Sequence, residues 1–158
     1  MVSLAANWQR ATSSLTPNLA DPREILSLGT FPLRYRPTNC EAFAGSAQQD
    51  LGDDDAFLTI MESGIPTPEH EYPEGRIVGV PPRPRRFGPE SGGGPRVTDC
   101  PGSRAMVQWI NFRDAGRYFY ALVAFGKSAP GELRRDAYRI LDCLRFDPDL
   151  KPYWRASP

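Results

Sequence analysis

The chain has a single histidine, His70, and it lies between two carboxylates in Pro68-Glu69-His70-Glu71-Tyr72. An imidazole beside a carboxylate is the partnership that activates a serine or cysteine nucleophile, and paired carboxylates alone serve as general acid and base. A hydrolase or transferase built on this chain would have to draw on His70, Glu69 or Glu71, within the 63–103 segment. That segment is proline-rich and irregular, and a base in such a loop has nothing to fix its aim. An exposed histidine is the plainer reading. Asp53-Asp54-Asp55 offers three more carboxylates, but adjacent residues point in different directions and read as a solvated turn. Gly92-Gly93-Gly94 lacks the Lys-Ser/Thr ending and the strand-to-helix setting of a phosphate loop, and reads as a linker.

Three cysteines are present, Cys40, Cys100 and Cys143, with no Cys-x-x-Cys spacing. A zinc site would need all three plus His70, with no two of them locally paired. No metal and no cofactor are therefore expected. Cys143 falls on the apolar side of a predicted helix and is expected to be buried as a small hydrophobe. Cys40 and Cys100 sit in turn-like stretches beside Asn39 and Pro101. They are the natural pair if one disulfide forms. The alternative is three free thiols, and the redox compartment decides between the two.

Arginines supply the other chemistry. Pro81-Pro82-Arg83-Pro84-Arg85-Arg86 has PxxP spacing followed by Arg. Such a segment favours an extended polyproline helix that can dock in an aromatic groove, or it serves as a linker. Arg113-Asp114-Ala115-Gly116-Arg117 puts two arginines on one hairpin, with Trp109 and Tyr118 nearby. Arg and aromatic neighbours suit a ligand stack or an interface hot spot. They equally suit a plain hairpin end, where Gly116 takes a positive φ. Together Arg83, Arg85, Arg86, Arg113, Arg117 and Tyr118 make a candidate surface for a protein partner. A third possibility is a small-molecule carrier, with a pocket between sheet and helix lined by Tyr118, Tyr120 and Tyr138.

The 158 residues amount to one domain, 1–158, with 63–103 as a long Pro/Gly-rich connection. Nineteen basic and nineteen acidic side chains give zero net charge, which argues against general nucleic-acid coating. Charge is uneven: residues 1–79 hold five basic and eleven acidic side chains, and residues 80–158 hold fourteen and eight. The two halves either cancel on packing or leave a basic face for an acidic partner. Hydrophobic residues at 40% are enough for a core. No apolar run is long enough for a transmembrane segment. Met1–Asn7 lacks the basic and apolar regions of a signal peptide. The chain as written is expected in the cytoplasm, or outside it if a leader precedes this sequence. The oligomeric state stays open.

These side chains need a frame. Asp21-Pro22-Arg23-Glu24 reads as a helix start, with Asp21 as N-cap, Glu24 closing a capping box and Gly29 as the stop. Phe31–Tyr35 reads as a strand, Glu41–Leu51 as a weak helix, Ala56–Met61 as a strand and Ile77–Val80 as a short strand. Ala105–Phe112 and Tyr118–Phe125 form a hairpin, and the second strand, apolar on both faces, is expected to be central. After Pro130, the spacing of Leu133, Ala137, Ile140, Leu141 and Leu144 marks one face of a helix. The expected fold is α+β: a twisted, mostly antiparallel sheet of five to six strands, with the C-terminal helix packed on one face. The expected core comprises Phe57, Leu58, Ile60, Val107, Trp109, Phe119, Ala121, Leu122, Val123 and Phe125.

The order of hairpin, central strand, Gly-turn, final amphipathic helix and Leu144-Arg145-Phe146 resembles the end of PsbP/Mog1-like domains. Gly116-Arg117-Tyr118-Phe119, Ile140–Phe146, Asn7-Trp8 and Asp21-Pro22-Arg23-Glu24 are similar to segments of small actinobacterial proteins, many of them expected outside the cytoplasm. The resemblance implies an α/β/α sandwich and a non-catalytic accessory or binding role. It assigns no catalytic motif. The lipobox cysteine and leader of the extracytoplasmic members are missing from this sequence.

Overall fold

The computed structural model describes residues 7–64, 70–71 and 77–149, with only the backbone at 70–71 and 77–78. Six strands form one open antiparallel sheet: β1 (Gln9–Arg10), β2 (Arg23–Gly29), β3 (Ala56–Ser63), β6 (Arg96–Val97), β7 (Met106–Asp114) and β8 (Arg117–Phe125). Their order is β1-β2-β3-β8-β7-β6. Two further strands, β4 (His70–Glu71) and β5 (Ile77–Val78), pair separately. The helices are α1 (Gly45–Asp50) and α2 (Gly131–Cys143). The fold is α+β, and no helix among the described residues is long and apolar enough to cross a membrane.

β8 sits between β3 and β7, each paired along its length. From Ala121 to Phe125 its residues are apolar on both sides because both sides are covered. The β7–β8 connection is a two-residue turn in which Ala115 and Gly116 both take positive φ, 49° and 70°. That conformation matches the twist of the flanking strands and favours glycine. On one face of the sheet, Leu28, Leu58, Ile60, Ile110, Phe112, Phe119, Val123 and Phe125 pack against Ala137, Tyr138, Ile140 and Leu141 of α2. On the other, Phe57, Val107, Leu122 and Ala124 pack against Ala44 and Ala47 from the α1 region and against Leu15 and Leu33.

A buried polar chain ties α2 to the sheet. Tyr138 Oη donates to Gln108 Oε1 at 2.6 Å, and Gln108 Nε2 donates to the carbonyls of Gly88 and Ser91 at 3.0 and 2.6 Å. Gln108 is fully buried, and these partners are what make its burial tolerable. Burial pushes the Tyr138 phenol above its usual pKa, and Glu90 adds to this while Arg134 opposes it. The protonated donor is thus favoured in the fold, and its contribution is complete below about pH 10 and fades above it, where the unfolded chain ionises first. Tyr138→Phe leaves Gln108 Oε1 unpaired and is expected to lose about 1–3 kcal/mol in urea unfolding at pH 7.

Four expectations need correction. The stretch expected as a helix from Asp21 is strand β2, entered through a cis Asp21–Pro22 bond. Leu26 and Leu28 face α2 while Ser27 bonds Thr59, a period of two. A bulge between Glu24 and Leu26 leaves Ile25 38% exposed. Glu24 closes no capping box. It accepts from the backbone N–H groups of Leu15 and Thr16 and from the Ser14 and Ser27 hydroxyls. Pairing with β3 overrides the local helix signal. Phe31–Tyr35 is not a strand: Pro32 lacks a ladder donor, and Leu33 plugs into the core instead. The helix expected over 41–51 shrinks to Gly45–Asp50, because Ala44 is left-handed at φ 52°. Cys143 is exposed rather than buried. The buried side of α2 centres on Ala137 and Leu141, and a residue two positions past Leu141 lies roughly 200° around the helix.

Of the expected core, Trp109 alone is only half-buried. That difference leads to the site described next.

Candidate functional site

The proline-arginine segment turns inward. The Arg83 guanidinium donates to the carbonyls of Leu141, Asp142 and Leu144 at 2.7, 3.2 and 2.9 Å, and to Asp114 Oδ2 at 2.9 Å. It thereby caps the last turn of α2, where carbonyls have no partner within the helix and the dipole favours a cation. The segment itself lies along the end of β7, with Arg113 N donating to Pro81 O at 2.8 Å and Arg83 N donating to Arg113 O at 2.9 Å. Its extended conformation is spent on this protein's own sheet edge. Arg85 and Arg86, beyond it, are exposed.

Arg117 also points inward. It makes a two-pronged pair with Glu62, Nε to Oε1 at 2.5 Å and Nη2 to Oε2 at 2.6 Å, on the α2 face. The two side chains are only 11% and 5% exposed. The hydrogen bonds that Arg117 donates to Glu62 raise the guanidinium's pKa, with burial working against them. The six-residue candidate surface therefore divides. Arg83 and Arg117 hold the α2 face together, Arg85 and Arg86 point to solvent, and Arg113 and Tyr118 alternate onto the opposite face. The proposed carrier pocket divides as well: Tyr138 belongs to the α2 face, and Tyr118 and Tyr120 to the other.

The remaining chemistry-bearing residues are placed as follows. The backbones of His70 and Glu71 lie in β4. Their side chains, and all of Glu69, lie outside the described residues. Asp55 accepts the Thr30 hydroxyl at 2.8 Å and Asp53 pairs with Lys127 at 3.1 Å, so both brace a turn. Gly92 has φ 61° and sits so close to β7 that a Cβ there would lie 2.3 Å from the Trp109 carbonyl, which is a packing role. Cys40 and Cys100 are joined in a disulfide with Cα atoms 4.9 Å apart, and Cys143 is a free thiol. Among the described residues, no cluster of three His, Cys, Asp or Glu could hold a metal.

The face opposite α2 carries the site. The α1 region covers the part of this face around Leu122 and Ala124. Further along the same strands lies a cleft of about 370 Å³ lined by Pro22, Phe43, Arg96, Trp109, Asn111 and Tyr120. Strand alternation positions most of it. Trp109 and Asn111 are two apart on β7, and Tyr120 lies opposite Asn111 on β8. Arg96 of β6, opposite Val107, projects from the same face. Phe43 comes from the loop before α1 and meets Trp109 edge-on, with ring centroids 5.2 Å apart. The disulfide fastens that loop three residues upstream, at Cys40, to Cys100 in the connection between β6 and β7. A second depression, of about 420 Å³ between the 15–19 and 35–46 segments, shares Phe43 with it.

The cleft presents three aromatic rings, one amide and one guanidinium. Those groups stack, hydrogen-bond and pair with charge. Among these described groups none is a nucleophile with a base beside it. Sequence reasoning flagged Trp109 and Tyr120 but missed Pro22, Phe43, Arg96 and Asn111. The available signal was the alternation in Met106–Asp114, where Trp109, Asn111 and Arg113 are too polar for a face sealed like that of Gln108, Ile110 and Phe112. No protein-family model, curated protein or solved structure matches the chain.

Proposed function

We propose that this chain is a non-catalytic binding or accessory domain, and that its ligand docks in the cleft around Trp109. The ligand is a small molecule with a flat or apolar body. The observation that carries this reading is the meeting of Phe43, Trp109, Tyr120 and Asn111 beside the part of the sheet face that the α1 region covers. Half-exposed aromatic rings beside a polar group, in a concave site of this volume, are the usual make-up of a small-ligand pocket. The resemblance to PsbP/Mog1-like α/β/α sandwiches belongs to the same proposal. The layering of α2, sheet and α1 region supports it, and accessory or binding roles are what it implies.

The test is a fragment screen read by protein NMR. Binders are expected to shift the Trp109 indole, the Asn111 amide and Tyr120. Trp109→Ala is expected to weaken them at least about 30-fold, the order of roughly 2 kcal/mol carried by a central aromatic anchor. Fragments that bind Trp109→Ala as well as the wild type would overturn the placement.

A further inference from the structure

We infer that the cleft takes an anion: a flat ring system carrying a carboxylate or phosphate oxyanion. This rests on the cleft being the binding site. The inference comes from the charges on that one face. The residues that β3, β6, β7 and β8 project there are Phe57, Thr59, Met61 and Ser63; Arg96; Val107, Trp109, Asn111 and Arg113; and Tyr118, Tyr120, Leu122 and Ala124. The charged ones among these are Arg96 and Arg113, and β2 adds a single carboxylate, Glu24, opposite Met61.

Glu24 and Asp21, which flank Pro22 of the cleft lining, are already engaged. Glu24 accepts from Leu15 N, Thr16 N and the Ser14 and Ser27 hydroxyls. Asp21 accepts from Gly64 N at 2.7 Å. Elsewhere the protein supplies carboxylates to its structural arginines: Asp50 to Arg36, Asp114 to Arg83 and Glu62 to Arg117. Arg96 lines the cleft, Arg113 lies outside the lining but on the same face, and neither has an ion pair among the described residues. A guanidinium offers a planar fork of donors that fits the two oxygens of a carboxylate or the face of a phosphate. Trp109 and Tyr120 supply the surface for the ring, and Asn111 can donate a neutral hydrogen bond at its edge. The cleft volume, bounded on one side by Phe43, suits one or two fused rings rather than a polymer.

The experiment uses four probes on one ring: 2-naphthoate, 2-naphthyl phosphate, the uncharged 2-naphthamide and cationic 2-naphthylmethylammonium. Affinities are measured by titration calorimetry or NMR on the wild type, Arg96→Gln, Arg113→Gln, Trp109→Ala and Arg10→Gln. Arg10 is on the opposite edge strand and controls for loss of charge alone. All variants are first matched to the wild type in thermal unfolding. One or both anions are expected to bind about tenfold or more tightly than the amide, and which anion leads tells carboxylate from phosphate. Arg96→Gln is expected to erase that preference, and Arg10→Gln to leave it. If the amide binds as well as the anions, with all probes lost in Trp109→Ala, the anion inference falls and the cleft reading stands. If probes bind Trp109→Ala undiminished, the cleft reading falls with it. If no probe binds the wild type, the ring-oxyanion class is wrong.

Discussion

Removing the disulfide, with Cys40→Ala and Cys100→Ala together, is expected to lower the unfolding free energy by about 4 kcal/mol. The bond joins residues 60 apart in sequence. Cross-linking so long a loop removes much of the freedom of the unfolded chain, and the chain-entropy estimate for a loop of this length lies between about 3 and 4.7 kcal/mol. The linkage also has native work to do. Cys40 is buried against the start of α1, where its carbonyl would sit 2.4 Å from a Cβ on Gly45. Cys100 is buried beside Gln48, which accepts from the Thr98 hydroxyl and donates to Phe43 O at 2.8 Å. One bond thus holds the cover of the face opposite α2. Urea unfolding of the oxidised wild type and the double variant, both without reductant, measures the difference. A loss under 1 kcal/mol would mean that packing alone holds this cover in place.

The second large effect is expected at Glu62. Glu62→Ala leaves the Arg117 guanidinium buried without its carboxylate, and is expected to destabilise the fold by about 3–5 kcal/mol. Arg117 is held over the Phe119 ring, 5.3 Å from its centre, and Phe146 stacks on the same ring at 3.8 Å. The charge therefore cannot swing freely into water. The informative comparison is the double variant Glu62→Leu, Arg117→Met. Replacing both partners by apolar groups of similar size is expected to recover most of the loss, because a buried pair repays its desolvation only in part. If Glu62→Ala loses no more than a surface pair would, roughly 1 kcal/mol or less, then water reaches Arg117 and its burial is not what it looks like.

The parts of the fold that were legible from the sequence are those where one physical signal dominates. Tyr118–Phe125 is apolar on both sides and had to be central. Leu133, Ala137, Ile140 and Leu141 mark a helix face by spacing alone. Ala115-Gly116 can close a hairpin with little alternative. What misled were short segments whose local signal competes with pairing. Asp21–Leu28 carries every mark of a helix start, yet the outer edge of β3 needed a partner, and six of the seven residues of β2 supply it. The site was harder to see for the same reason. Arg83 and Arg117 look like surface charges in sequence, and only their distant partners, the end of α2 and Glu62, turn them inward. The cleft is assembled from Pro22, Phe43, Arg96 and Trp109, residues drawn from four separate segments. No local pattern joins them.

The placement of the proline-arginine segment has one more consequence, for how the molecule avoids its own kind. The long strands of eight and nine residues, β3, β7 and β8, are the ones that could recruit a foreign strand. β3 and β8 are interior. β7 has an outward side, and it is shuttered in two places: by the two residues of β6 at one end, and by the Pro82–Arg113 bridge at the other. Pro81, Pro82 and Pro84 have no N–H to offer a further strand, and Arg96 puts a charge on the other shutter. At the opposite margin the two-residue β1, with Arg10, covers the end of β2, and a bulge between Glu24 and Leu26 breaks the rest of that strand's edge. A segment that reads as a docking peptide thus occupies one end of the β7 edge, where a foreign strand would otherwise add.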